Sequence, residues 1–354
     1  MRLATLLDSL VVLSLTGDAS TEVSGISYNS QSLKAGDLFV AVTGAHVDGH
    51  RFVEQAAARG AAGAVVEREV EAPLGLPVVR VADTKLALAQ LATAFWGRPS
   101  HQLWLAGITG TDGKTTSTEL TAQLLRHAGL GVGFMSTVSL QMEGDITPNL
   151  TRQTTLEAVE IQRSLATMLA SGRRHAVLEV TSHALALNKV EGCVFDVAGV
   201  SNVTHEHLDF HGSWENYLRA KGRLFELLAD TASKPGPRTA VLNRDDRSFD
   251  YLPQFVPSVA KTVTYGLHPD ADVRAEDVRI AQDGAQFRMR TPWGAADVRL
   301  GLIGSFNISN ALLASSICLA QGLSVDQVAS GLTLARPVAG RMERIDAGQP
   351  FHVI

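Results

Sequence analysis

Between residues 103 and 248 one arrangement recurs four times: a short apolar run, a polar loop, then a helical pattern. LWLAGI leads to TGTDGKTT, HAVLEV to TSHAL, VAGVSNV to THEHLDFHG, and TAVLN to RDDRS. Apolar runs alternating with helices predict a parallel sheet covered on both faces, since strands buried on two sides lose the alternation of a half-exposed strand. In such sheets ligands collect outside the carboxyl ends of the strands. All four polar loops are therefore expected on one rim.

The flanking segments extend this α/β pattern. GAQFRMRTPWGAADVRLGLIGS alternates and carries turn signals, which predicts an antiparallel hairpin added to the sheet. FNISNALLASSICLAQGL reads as a helix with a glycine stop. In residues 1–98, DLFVAVTG and LPVVRVAD read as strands, HRFVEQAAARGAAGAVVE as a helix, a glycine stop and a strand, and TKLALAQLATAFWG as a helix. The turn-like GRPSHQ ends this unit. A chain of 354 residues exceeds one ordinary core. The expected division is 1–98, 99–341, and the start of a further domain at 342–354.

Composition excludes several classes. A net charge of -5 argues against a nucleic-acid partner. Cys193 and Cys318 form neither a disulfide framework nor a thiolate metal site, which fits a reducing, cytoplasmic setting. In the N-terminal MRLATLLDSLVVLSLTG, Asp8 interrupts the apolar run, and Leu3, Leu6, Leu7 and Leu10 recur at helical spacing. The expectation is an amphipathic helix rather than a signal peptide. No run approaches the roughly 20 apolar residues of a membrane span.

The string GITGTDGKTT has the composition of a phosphate loop. Such a loop turns tightly, aims backbone N–H groups at an anion, and opens a helix whose positive end faces it. Gly107, Gly110 and Gly113 would permit the turn. Lys114 would neutralise phosphate oxygens, and Thr115 would offer a hydroxyl to magnesium. A helix is expected over 115–128, with Leu120, Leu124 and Leu125 buried and Gly129 as its stop. Two further stretches offer metal chemistry. Glu179 ends an apolar strand, where an acid can hold magnesium beside phosphates. In NVTHEHLDFHG, His205, His207, Asp209 and His211 alternate and would share one face if the segment were extended. Zinc is the alternative there, although Phe210 between Asp209 and His211 departs from the His-x-His-x-Asp-His spacing of metallo-β-lactamase-like hydrolases.

Taken together, these strings resemble the Mur ligase family, and within it the MurE-type enzymes that add the third residue of the peptidoglycan stem peptide. The shifted glycine of GITGTDGKTT is similar to the family's ATP loop, with Asp112 where asparagine is usual. EVTSHAL, SNVTHEHLDFHG and YLRAKGRLF resemble three more family motifs, with Glu206 where aspartate is usual. The resemblance implies that Gly110, Thr111, Asp112, Gly113, Lys114, Thr115 and Thr116 hold ATP. It implies that Thr115, Glu179, His207 and Lys221 hold magnesium, with Lys221 carbamylated, and that Lys114, Glu179, His207 and Lys221 are the catalytic set. Asn243, Asp246, Asn307, Asn310 and Arg341 would lie around adenine and ribose.

NSQSLKAGDLFVAVTGAHVDGHRF resembles the family's UDP-sugar-binding domain. Ser30 and the 44–48 loop, with His46, would face the uridine diphosphate, and Asn29 and Gln31 replace the usual aspartate and arginine. Thr154, Thr155, Ser182 and Lys189 would bind the muramoyl peptide. Leu156 replaces a usual proline, and Leu187 a usual glutamine. The implied fold is a small α/β UDP-binding domain followed by a P-loop parallel-sheet ATPase domain. The implied chemistry is ATP-dependent: a terminal carboxylate of UDP-MurNAc-L-Ala-D-Glu becomes an acyl phosphate, which an amino acid's amine attacks. The family's third domain, which selects that amino acid, would follow residue 354 or come from elsewhere, and weak or no complete turnover is expected of residues 1–354 alone. Folylpolyglutamate synthase, which lacks a UDP-binding first domain, and a nucleotide-binding pseudo-ligase are the alternatives.

Overall fold

The computed structural model describes residues 1–44, 47–343, 345, 348–349 and 353. The chain divides into two compact units. The first takes residues 1–99 together with 156–166 and 186–193; the second takes 100–155, 167–185 and 194–354. The first cut falls at the turn-like GRPSHQ. The two later segments, which the sequence assigns to the central region, belong with the first unit.

The first unit holds strands β1 (Ser14–Thr16), β2 (Gly25–Ser27), β3 (Asp37–Val40), β4 (Gly63–Val66) and β5 (Val78–Arg80), with helices α1 (Leu3–Leu7), α2 (Val53–Ala58) and α3 (Thr84–Phe95). The sheet order is β1-β5-β4-β3-β2, parallel except for β1. Strand β4 is buried along its whole length, as a strand covered on both faces must be. One core layer joins Leu3, Leu6, Val40, Val65 and Leu91 with Ala158 and Val159. The other joins Phe39, Val53, Ala56 and Ala64. Asp83 caps α3 by accepting from the amides of Lys85 and Leu86.

The second unit runs β6 (Trp104–Thr109), α4 (Lys114–His127), β7 (Val132–Met135), β8 (Ser139–Gln141), β9 (Thr147–Pro148), α5 (Ala158–Ala170), β10 (His175–Glu179), α6 (Ser182–Ala186), β11 (Val197–Val200), α7 (Leu208–His211), α8 (Trp214–Glu226), β12 (Arg238–Asn243), β13 (Ala260–Gly266), β14 (Val273–Ala281), β15 (Gly284–Thr291), β16 (Gly294–Leu300), α9 (Phe306–Gln321) and α10 (Val325–Thr333); the first part of α5 lies in the first unit. Its eleven strands form one sheet, β16-β15-β14-β13-β12-β11-β6-β10-β7-β8-β9. Strands β14 to β7 are parallel, and the hairpin β15–β16 extends one edge antiparallel. Helix α9 is apolar enough to bury twelve of its sixteen residues, and Gly322 ends it at φ +112.

Gly107, which the sequence placed among the loop glycines, is instead a packing residue inside β6. A Cβ there would come within 2.8 Å of the Phe195 ring and 2.9 Å of Leu224 on α8. Gly199 on β11 likewise admits Leu313 of α9. In the register, Gly107 pairs with Ala198 and Gly199 with Ile108, so the two glycines point to opposite faces. Helices α8 and α9 therefore cover opposite sides of the sheet. At the amino ends of these strands, buried Asp196 accepts from Lys234 Nζ at 2.6 Å, Arg238 Nη1 at 3.1 Å and the Leu105 amide at 2.7 Å.

Candidate active site

The polar loops after β6, β10, β11 and β12 all leave the carboxyl ends of parallel neighbours. The loop after β6 turns at Gly110 (φ +145) and Gly113 (φ +80). A Cβ on Gly113 would lie 2.2 Å from Asn310 Oδ1, so the left-handed backbone and the close approach both require glycine. Beneath it, Asn310 Nδ2 donates to Asn307 Oδ1 at 2.9 Å, and Asn307 Nδ2 donates to the Ile303 carbonyl. Asp112 has its amide on Asn202 Oδ1 and its carbonyl on Ser201 Oγ.

Two lysines point at this turn. Lys114 Nζ donates to the Thr111 carbonyl at 2.6 Å, and Lys221 Nζ donates to the Gly110 carbonyl at 2.5 Å. Lys221 is 1% exposed and lies 4.3 Å from the centre of the Tyr217 ring. Burial, and then the charge of Lys114, hold its pKa well below the ordinary lysine value. Tyr217 hydrogen bonds Thr111 Oγ1 at 3.0 Å, and burial pushes its phenol up to about 12.

Glu179, 2% exposed, closes the other side. Its Oε1 accepts from Thr115 Oγ1 at 3.1 Å and Thr137 Oγ1 at 2.9 Å, and its Oε2 accepts from the Thr137 amide at 2.7 Å. Burial raises its pKa, opposed first by the Thr137 amide and then by Lys114. Thr137 Oγ1 also lies 3.1 Å from Thr154 Oγ1, from which it can accept, and Thr155 Oγ1 donates to the Glu179 carbonyl at 3.0 Å. Thr116 is buried in the first turn of α4.

Thr137 escaped the sequence reading, although the signal was present. VGFM followed by STVS is a fifth apolar run with a polar loop, and β7 is the neighbour of β10.

The segment 205–211 is not extended. Leu208–His211 is a helical turn, which removes the shared face expected of His205, His207, Asp209 and His211. His205 Nδ1 faces Arg247. His207 takes a left-handed backbone (φ +55), and its ring stacks edge-on against His183 at 4.7 Å and lies 6.4 Å from Tyr217. His211 Nε2 is 3.0 Å from Ser182 Oγ. Burial, and next the charges of His183 and Lys221, lower the His211 pKa. Among the described residues no three His, Cys, Asp or Glu side chains form a metal-holding group.

Asn243 Nδ2 donates to the Ser201 carbonyl at 2.6 Å, and Asp246 Oδ1 accepts from the amides of Val203 and Ser248. These two side chains tie the loop after β12 to that after β11. Arg341 is exposed. In the first unit, buried Ser30 donates to Gln55 Oε1 at 2.8 Å, and Lys189 pairs with Glu157 at 2.6 Å. His46 lies outside the described residues.

Residues 108–318 match the Mur ligase middle domain, and residues 22–96 match the family described as Mur ligase family, catalytic domain. The chain belongs to the Mur ligase family. This Mur ligase is 44% identical over 361 residues to the UDP-N-acetylmuramyl-tripeptide synthetase of Roseiflexus sp. (strain RS-1), covering all of this chain and 71% of that protein. It is 41% identical over 354 residues to the UDP-N-acetylmuramoyl-L-alanyl-D-glutamate--2,6-diaminopimelate ligase of Geobacillus kaustophilus (strain HTA426), with the same coverage. A solved structure of a ligase of the latter name superposes with a TM-score of 0.82 at 26% identity, covering 98% of this chain and 69% of that one. No helix of this Mur ligase is long and apolar enough to cross a membrane, among the described residues.

Proposed function

We propose that this Mur ligase binds ATP and a UDP-N-acetylmuramoyl peptide, and that its site serves formation of an amide bond at the peptide's terminal carboxylate by way of an acyl phosphate, in the cytoplasm. The observation that carries the reading is the approach of Lys114 and Lys221 to one glycine turn, with Glu179 hydrogen bonded to the Thr115 that follows Lys114. The names of relatives at 41–44% identity support the substrate class.

Lys114, released from the Thr111 carbonyl, would meet the β- and γ-phosphate oxygens. The amides of 110–114 would surround them as a nest at the start of α4. Positioning and charge neutralisation are what phosphoryl transfer asks of a protein. The oxygens of Glu179, Thr115 and Thr137 are hard donors that suit magnesium, which binds through one or two carboxylates and keeps several waters. When bound, the ion would neutralise charge on the phosphates. Lys221 fits carbamylation: a buried amine whose neutral form burial favours attacks carbon dioxide, loses a proton, and becomes a carboxylate that gives the site a second acid. His207 completes the catalytic set.

Asn307 and Asn310 would hold the nucleotide indirectly, by supporting Gly113. Asn243 and Asp246 would brace the loops around adenine and ribose, with Arg341 nearby. Thr154, Thr155 and Ser182 would meet the muramoyl peptide near Glu179; within the first unit, Ser30, His46 and Lys189 are the candidates for substrate contacts. Titration calorimetry with ATP–magnesium and with UDP-MurNAc-L-Ala-D-Glu tests the reading. Binding of both is expected. Binding of neither overturns it, and binding of the nucleotide alone favours a nucleotide-binding partner protein.

A further inference from the structure

Strands β10 and β11 do not touch, because β6 lies between them. The segments that follow them nevertheless meet. His211 Nε2 is 3.0 Å from Ser182 Oγ, and the His183 ring lies 4.2 Å from Phe210, 4.7 Å from His207 and 5.5 Å from His211. The loops thus join across the carboxyl end of β6, beside the turn that begins at Gly110. Ser182 is 1% exposed and His211 half-buried, so the hydroxyl side of the bond is shielded from competing water.

The other end of the bridge is His207. Its left-handed backbone is strained for a residue with a side chain. Its carbonyl oxygen accepts from the amides of Phe210 at 3.1 Å and His211 at 3.0 Å. An anchor on the His211 ring therefore fixes the peptide group of His207, one turn earlier. Asn216 of α8 adds a second tether by donating to the His211 carbonyl at 3.0 Å.

We propose that His211 is a positioning residue: bonded to Ser182, it locks the 207–211 turn across the end of β6 and aims the His207 imidazole at the metal-bearing end of the nucleotide. The proposal rests on the reading of this site as one for ATP and magnesium. Its mechanism is geometric, since an imidazole nitrogen fixes the Ser182 hydroxyl in either tautomer.

The test is ATP affinity of the full chain by calorimetry, with magnesium and with EDTA, alongside melting temperature. His211→Ala should reduce the magnesium-dependent gain in affinity about tenfold, the scale on which residues behind metal ligands act, and leave affinity in EDTA unchanged. His211→Gln, whose amide nitrogen can reach the Nε2 position, should recover most of the loss. Ser182→Ala should match His211→Ala, and in a His207→Ala background His211→Ala should add nothing. Equal losses with and without magnesium, additivity with His207→Ala, or failure of the glutamine to rescue in a variant that melts like the wild type would each overturn the proposal. If His211→Ala does not fold, His211→Gln and Ser182→Ala carry the test. A wild-type chain indifferent to magnesium removes the reading of the site and this proposal with it, whereas a wild-type response with unaffected variants removes this proposal alone.

Discussion

The amine of Lys221 lies 2.5 Å from the carbonyl oxygen of Gly110, so a side chain on α8 ends against the backbone of the phosphate-type turn. Burial and the neighbouring Lys114 disfavour its charged form. The unfolded chain then binds a proton that the folded chain sheds, and stability from this group rises with pH between the depressed value and the ordinary lysine value near about 10.4. Lys221→Met should flatten that slope and raise the melting temperature near neutral pH by a few degrees, or about 1 kcal/mol. Thermal melts across the alkaline range check this. In bicarbonate, intact-mass measurement should show one carbon dioxide added to the wild type and none to the variant.

Glu179 shows the opposite sign. Burial raises its carboxyl pKa, so its contribution to stability is fully present below the ordinary glutamate value near about 4.3 and is lost as pH rises through the folded value. Glu179→Gln should remove this dependence and gain stability relative to wild type on the alkaline side. It should also weaken magnesium-dependent ATP binding about ten- to a hundredfold, the scale of a hydrogen-bonded charge. Paired pH melts and calorimetry separate the two effects.

Gly113→Ala adds a methyl group where Asn310 Oδ1 stands 2.2 Å away and forces alanine to φ +80. A loss of about 1–3 kcal/mol is expected from strain alone. Nucleotide binding should fall with it, because the amides of the turn and the start of α4 move together. Denaturant unfolding and ATP titration give the two numbers.

Asp196→Ala removes the carboxylate that buried Lys234 and Arg238 share, leaving the two cations with backbone carbonyls. A destabilisation of about 3–5 kcal/mol is expected. Asp196→Leu with Lys234→Met and Arg238→Met should cost less than the single change, since removing all three charges avoids an unpaired one. Denaturant midpoints of the two variants decide it.

Much of this arrangement was legible in the chain. The four apolar runs predicted parallel strands and a common rim because double burial leaves a clear hydropathy signature. The helix after Lys114 was legible within one residue, since Leu120, Leu124 and Leu125 repeat with its period. Gly107 was misread because composition does not distinguish a glycine that turns the chain from one that admits the Phe195 ring. The alternation in His205–His211 was misread because period two implies one face only in an extended backbone, and His207 is left-handed there. Thr137 was missed because its role comes from β7 lying beside β10, a pairing that sequence order does not reveal. The assignment of 156–166 and 186–193 to the first unit was hidden for the same reason: long-range packing overrides sequence proximity.

That discontinuity bears on how the molecule is made. Ala158 and Val159 contribute to the first unit's core, Lys189 pairs with Glu157, and Gln162 reaches Cys193. A nascent chain that has emerged only to residue 99 is therefore still short of core material, and the earliest unit to begin folding must wait for the ribosome to pass Cys193 before it can close. Dissecting the gene at the obvious turn would deliver an N-terminal piece with a hole in its interior, whereas a piece carried through residue 193 would contain everything that unit needs.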